Sequence, residues 1–100
     1  MKVLRATVVK PLKGHEKEVT EIIRELNTYL SGLPGFVMGY EIREGEFVGK
    51  VTIWESQDAV NHAGTQAHNI SLRSRLHRLS EADMRERLFQ VTSEIRGVAP

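Results

Sequence analysis

The sequence predicts an α+β domain of the ferredoxin-like βαββαβ kind: an antiparallel sheet with its helices on one face, two subunits of which form a dimeric α/β barrel. Three patterns carry that expectation. Four short segments alternate their side chains with the period of two that marks a half-buried strand. Two longer stretches place apolar residues at helical spacing, one after the first strand and one before the last. The two middle strands are joined by a link of hairpin length, so they pair antiparallel. At 100 residues the chain makes one domain, residues 1–100.

The first strand is expected over Val3 to Lys10. Leu4, Ala6 and Val8 form one face, and Val3, Arg5, Thr7 and Val9 the other. Pro11 ends it, because proline has no N–H to give to a ladder. Gly14 opens a turn into a helix from about His15 to Ser31, whose stripe is Val19, Ile22, Ile23, Leu26 and Leu30. Glu16 and Glu18 favour its positive end, and Gly32, Pro34 and Gly35 stop it. Strands follow over Phe36 to Arg43 and Phe47 to Glu55, linked by Glu44-Gly45-Glu46. In the first, Phe36, Met38, Tyr40 and Ile42 share a face by simple alternation.

Ser56 is a good N-cap for a second helical stretch running to about Leu79 in two pieces. Ala59, Val60, Ala63, Ala67 and Ile70 form the first stripe, and Leu72, Leu76 and Leu79 the second, with Gly64 the expected bend. A last strand is expected from Arg87 to Ile95, followed by a short tail, Gly97 to Pro100. Helices on one side leave the other sheet face apolar. A second copy of the chain is the simplest cover, so a homodimer is expected.

Composition excludes several classes of function. The formal charge of +1 argues against nucleic acid or an anionic membrane as partner. No apolar run is long enough to span a bilayer, and the first 13 residues lack a secretory apolar core, so a cytoplasmic protein is expected. With no cysteine there is no disulfide or thiol chemistry.

Pro34-Gly35-Phe36, then Trp54-Glu55-Ser56, Asp58-Ala59 and His68, resemble the run found in the antibiotic biosynthesis monooxygenase-like family of dimeric α+β barrels. The similarity extends from Val3 to about Ile95. It implies a homodimer with a pocket between sheet and helices in each subunit. It also implies cofactor-independent oxidation of an aromatic or quinol-like molecule, or haem cleavage in one branch. The chain departs from the family pattern at several places. Lys50 stands four residues before the Trp, where oxygenase members often carry Asn. The haem-degrading branch has Asn on the first strand and His ten residues after the Trp; here the strand has no Asn and Gly64 holds the helix position. Ala63 stands nine residues after the Trp, where many relatives have a His, with His62 one place away and turned by about 100° on a helix.

The candidate site follows from these residues. Lys50, Thr52 and Trp54 share one strand face. Trp54 and Thr52 are candidate substrate-binding residues, with His62 beside them. Lys50 and His68 are candidate catalytic residues, Lys50 to stabilise an enolate or phenolate and His68 to move a proton. Plain structural readings stand next to these: Trp54 as a core cap, Lys50 snorkelling its amine outward, His68 hydrogen-bonded at a helix edge. No metal site is expected, because His62 and His68 are six apart, which misses the spacing of two ligands on one helix face. No other cofactor is expected either. The basic run Arg73, Arg75, His77 and Arg78 could bind an anionic group, but Glu81, Asp83 and Glu86 follow at once, which reads as a solvated, self-compensated face. Three functions fit: a small cofactor-independent monooxygenase of an aromatic or quinol-like molecule, a non-catalytic dimer that binds such a ligand, and a structural or regulatory dimer whose pocket is filled.

Overall fold

The computed structural model describes residues 1–82 and 84–98; Asp83 and the end of the expected tail, Ala99 and Pro100, lie outside them. The elements run β1 (Val3–Val9), α1 (Glu16–Leu30), β2 (Phe36–Glu44), β3 (Phe47–Trp54), α2 (Gln57–Gly64), α3 (Ala67–Arg78) and β4 (Arg85–Gln90). The strands form one antiparallel sheet in the order β2-β3-β1-β4. This is the ferredoxin-like plan, with its second helical stretch divided in two.

Helix α1 carries the expected stripe, since Val19, Ile22, Ile23, Leu26 and Leu30 are all buried. Removing a side chain of this size from water is worth about 1.5–3 kcal/mol. The inner face of the sheet alternates as period two requires: Val3, Thr7 and Val9 of β1 and Val48, Lys50, Thr52 and Trp54 of β3 are buried under the helices. These residues belong to two separate apolar clusters. Val9 and Val48 pack with Val19, Ile22, Ile23, Leu26, Leu72 and Leu76, whereas Val3 and Trp54 pack with Leu30, Val60 and Ala63. A polar strip of Arg5, Thr7, Lys50 and Thr52 crosses the sheet between them.

Three expectations are corrected. The alternation in β2 is broken by an irregularity between Phe36 and Met38. Phe36 therefore pairs with Trp54 and meets its indole edge-on at 5.2 Å on the inner face, while Met38, Tyr40 and Ile42 keep the outer one. The single stripe from Ala59 to Ile70 fails beyond Ala63. The chain leaves helical geometry at Thr65 and Gln66, the phase resets, and Ala67 and Ile70 are exposed while Asn69, Leu72 and Leu76 turn inward. The last strand ends at Gln90 rather than Ile95, because its neighbour β1 starts at Val3; one bond beyond the paired register, from the Val91 N–H to the Lys2 carbonyl at 2.8 Å, follows.

Backbone geometry explains two glycines. Gly45 (φ +58°) makes the two-residue β2–β3 turn. Gly35 (φ +84°) passes so close to α2 that a Cβ would stand 2.5 Å from the Ala59 Cβ, while its carbonyl accepts from the Glu55 N–H at 2.8 Å. Gly35→Ala should therefore destabilise the fold by at least about 1–3 kcal/mol, combining left-handed strain with the clash. Gly45→Ala should show the strain alone, since nothing lies near its Cβ position. Urea unfolding of the two variants checks the ordering.

Candidate functional site

The helix–sheet interface encloses a small chamber lined by Arg5, Leu30, Lys50, Thr52, Trp54, Val60, Ala63, Gly64, Asn69 and Arg73. Its free volume is about 20 Å³, room for about one water. Strand β3 supplies the floor through Lys50, Thr52 and Trp54, which period two places in line. The Trp54 Nε1–H donates to Thr52 Oγ1 at 2.9 Å, so the indole is locked in place with its polar atom satisfied. Helix α2 forms one wall; Ser56 Oγ caps it by accepting from the Ala59 N–H at 3.1 Å. Helix α3 forms another through Asn69, whose Nδ2–H donates to the Ala63 carbonyl at 2.8 Å, tying together the two helices across the break.

Lys50 is buried, at 3% exposure. Burial first, and then the charges of Arg5 and Arg73, depress its pKa to about 8, while Glu86 opposes them. Glu86 reaches in from β4. Its carboxylate accepts from Arg5 at 2.8 Å and is bonded to Arg73 as well. Burial alone would raise the Glu86 pKa, but the two guanidinium groups outweigh it and hold the carboxyl below its usual range. On the other side of Lys50, its register partner Glu41 is engaged with Arg24 through bonds of 2.9 and 3.0 Å. Thr7 faces Lys50 in β1; it is 1% exposed and its Oγ1 has no partner among the described residues.

Of the residues expected at a site, the structure brings together Lys50, Thr52 and Trp54. It does not bring the histidines to them. His68 is half-exposed on the outer flank of α3, with its ring edge-on to Tyr29 at 4.7 Å and its Nε2 3.9 Å from Glu25. The helix break gives the inward position to Asn69 instead. His62 is exposed and sits by Gln66. Lys50 does not snorkel outward; its amine stays under the helices. Arg5, Asn69, Arg73 and Glu86 were not legible as site residues. The helical spacing of Asn69, Leu72, Arg73 and Leu76, one face of a helix, was the available signal for two of them. Among the described residues, no group of three or more His, Asp or Glu side chains could hold a metal ion, and no helix is long and apolar enough to cross a membrane.

With this geometry the chain shares the fold of the antibiotic biosynthesis monooxygenase-like proteins. A solved structure of SnoaB from Streptomyces nogalater, a cofactor-independent oxygenase carrying the change N63A, is 19% identical with a TM-score of 0.84, over 96% of this chain and 98% of that one. Rv0793 from Mycobacterium tuberculosis is 11% identical with a TM-score of 0.88, over 96% of this chain and 100% of that one. A protein from Deinococcus radiodurans, provisionally named an antibiotic biosynthesis monooxygenase, is 10% identical with a TM-score of 0.84, over 99% and 100% of the two chains. No protein-family model and no curated protein matches the sequence.

The buried amine has a measurable consequence. Below pH 8 the folded protein holds an ammonium in its interior, and the full cost of burying that charge is present. Between about pH 8 and 10.5 the folded lysine has lost its proton while the unfolded one keeps it, so unfolding binds a proton and stability rises with pH. Lys50→Met should thus be more stable than the parent at pH 7 by about 1–3 kcal/mol. The gap should narrow as pH approaches 10.5. Urea titrations at pH 7 and pH 10 read both quantities.

Proposed function

We propose that this protein is a monooxygenase-like homodimer that binds an aromatic or quinol-like small molecule in the chamber beside Trp54. The observation that carries the reading is Lys50: an amine under the helices, beside an aromatic wall, with a pKa of about 8. Such a group is poised to exchange a proton near neutral pH. As the amine it takes the proton of an acidic ring hydroxyl or ring methylene; as the ammonium it stays next to the anion it has made. A ring anion is electron-rich enough to reduce dioxygen. For a ring methylene, one oxygen atom remains on the carbon as a carbonyl and the other leaves as water with the two hydrogens. Trp54 and Thr52 would hold the ring, and Arg5 and Arg73 would add to the field that favours the anion. The similarity in fold to a cofactor-independent oxygenase supports this reaction class.

A ring does not fit the chamber as it stands. A cavity that takes benzene measures about 150 Å³, against about 20 Å³ here. The ligand must displace α2, an eight-residue helix that presents Ala63 and Gly64 to the chamber. The small volume favours a second reading, in which the pocket is a filled structural feature of a non-catalytic dimer. Oxygen-electrode assays with a panel of small quinols and anthrones separate the two. Turnover is expected in the parent and should fall by roughly 10²–10⁴-fold in Lys50→Met, the range of a lost acid–base group. Absence of oxygen uptake across the panel would leave the second reading.

The dimer follows from the outer sheet face. Met38, Tyr40, Ile42 and Phe89 are exposed there at 46, 52, 37 and 48%, beside the half-buried Leu4, Val8, Phe47, Val51 and Ile53. A contiguous apolar face of this size on a small chain is the mark of an interface. The second copy should cover more than roughly 1,000 Å² in total. Sedimentation equilibrium at micromolar concentration should give twice the chain mass, and Tyr40→Glu should shift the equilibrium to monomer. A parent sedimenting as a monomer would remove the dimer from the proposal.

A further inference from the structure

We propose that the chamber selects its ligand by charge, taking an aromatic acid whose anionic group, a carboxylate or an ionised phenol, settles against Lys50 between Arg5 and Arg73. The inference rests on the chamber reading above and names the substrate class for it.

Side chains from β1, β3 and α3 bring three cations to one small volume, and β4 brings one carboxylate. Glu86 is bonded to both guanidinium groups, Arg5 and Arg73. Among the described residues no carboxylate is bonded to Lys50, and its register neighbour Glu41 is taken up by Arg24. The cluster therefore carries an excess of positive charge, and Lys50 within it is buried. An ammonium taken out of water is costly unless a counter-charge accompanies it. A ligand that supplies the anion removes that cost, and a neutral molecule of the same shape does not. Thr7, opposite Lys50 in the sheet, holds a buried hydroxyl with no partner among the described residues, on the same polar strip. The adjoining end of the chamber, Trp54 with Leu30 and Val60, is apolar and suits the ring rather than the charge. Polar strip and apolar wall together match a flat molecule with one charged edge.

Binding of such an anion draws a proton onto Lys50. For a carboxylate, which stays ionised throughout, affinity should be greatest below pH 8 and fall as pH rises above it, as the free lysine loses its proton. Arg5 and Arg73 stay charged throughout this range, and Glu86 stays ionised.

The test uses near-isosteric probes of different charge on the intact protein. Benzoate and 4-nitrophenolate at pH 8 are compared with benzamide by thermal unfolding and calorimetric titration. At least one anion should raise the midpoint, with an affinity tenfold or more above that of benzamide, the scale of one charge-assisted hydrogen bond. Lys50→Met, which removes the charge while filling the space, should lose that preference. Equal binding of benzamide, no binding of either anion, or undiminished anion binding by Lys50→Met overturns the inference. Its failure is distinguishable from that of the oxygenase reading. Anion binding without oxygen uptake on any quinol removes the reaction and keeps the charge selection; oxygen uptake without anion preference does the reverse.

Discussion

The alternation of strand β3 places Val48, Lys50, Thr52 and Trp54 on the one face that the helices must cover, and the rest of the interior is organised around that. Two of the four are polar, so the core cannot be a single apolar mass. It splits into one cluster under α1 and α3 and another around Trp54 and α2. Between them the polar groups of Arg5, Thr7, Lys50 and Thr52 have to be accommodated. Thr52 is satisfied by the Trp54 indole, and Arg5 by Glu86. Lys50 is left with a burial cost that appears as a depressed pKa.

That arrangement is expensive for a domain of this size, whose net stability is on the order of 10 kcal/mol. An apolar residue at position 50 would join the two clusters and remove a penalty comparable to a sizeable part of that total. A buried, poorly compensated amine in a site with an aromatic wall is the kind of local inconsistency that function explains better than folding does. The same view accounts for α2. It is short, it is bounded by the break at Thr65 and Gln66, and it faces the chamber with Ala63 and Gly64.

The two sheet faces divide the remaining tasks. The inner face holds the buried amine and the chamber, and the outer face, with Met38, Tyr40, Ile42 and Phe89 open to solvent, holds an exposed apolar surface. A hollow of about 380 Å³ near Ile42, Phe47 and Arg85 belongs to this outer face, at the edge of the surface a second copy would cover, and no buried titratable group points to chemistry there. The irregularity at Phe36 and Met38 serves both faces, since it turns Phe36 inward to support Trp54 while leaving the other three large residues outward.

Much of this was legible from local periodicity. The stripe of α1, the four strands, the hairpin at Gly45 and the shared face of Lys50, Thr52 and Trp54 all follow from repeats of 3.6 or two residues, which depend only on near neighbours in the chain. What periodicity could not carry was phase across an interruption. The break at Thr65–Gln66 replaced His68 by Asn69 at the inward position and moved Ile70 to the surface. The irregularity in β2 moved Phe36 to the other side. Nor could it carry the meeting of distant residues: Arg5 and Glu86 are 81 positions apart and touch only because β1 and β4 pair in one particular register. The sequence by itself determined the elements and the face on which Lys50 and Trp54 stand, because those are set by backbone period. The tertiary structure alone decided which charges surround Lys50, because that depends on the register and packing of three elements that local pattern does not link.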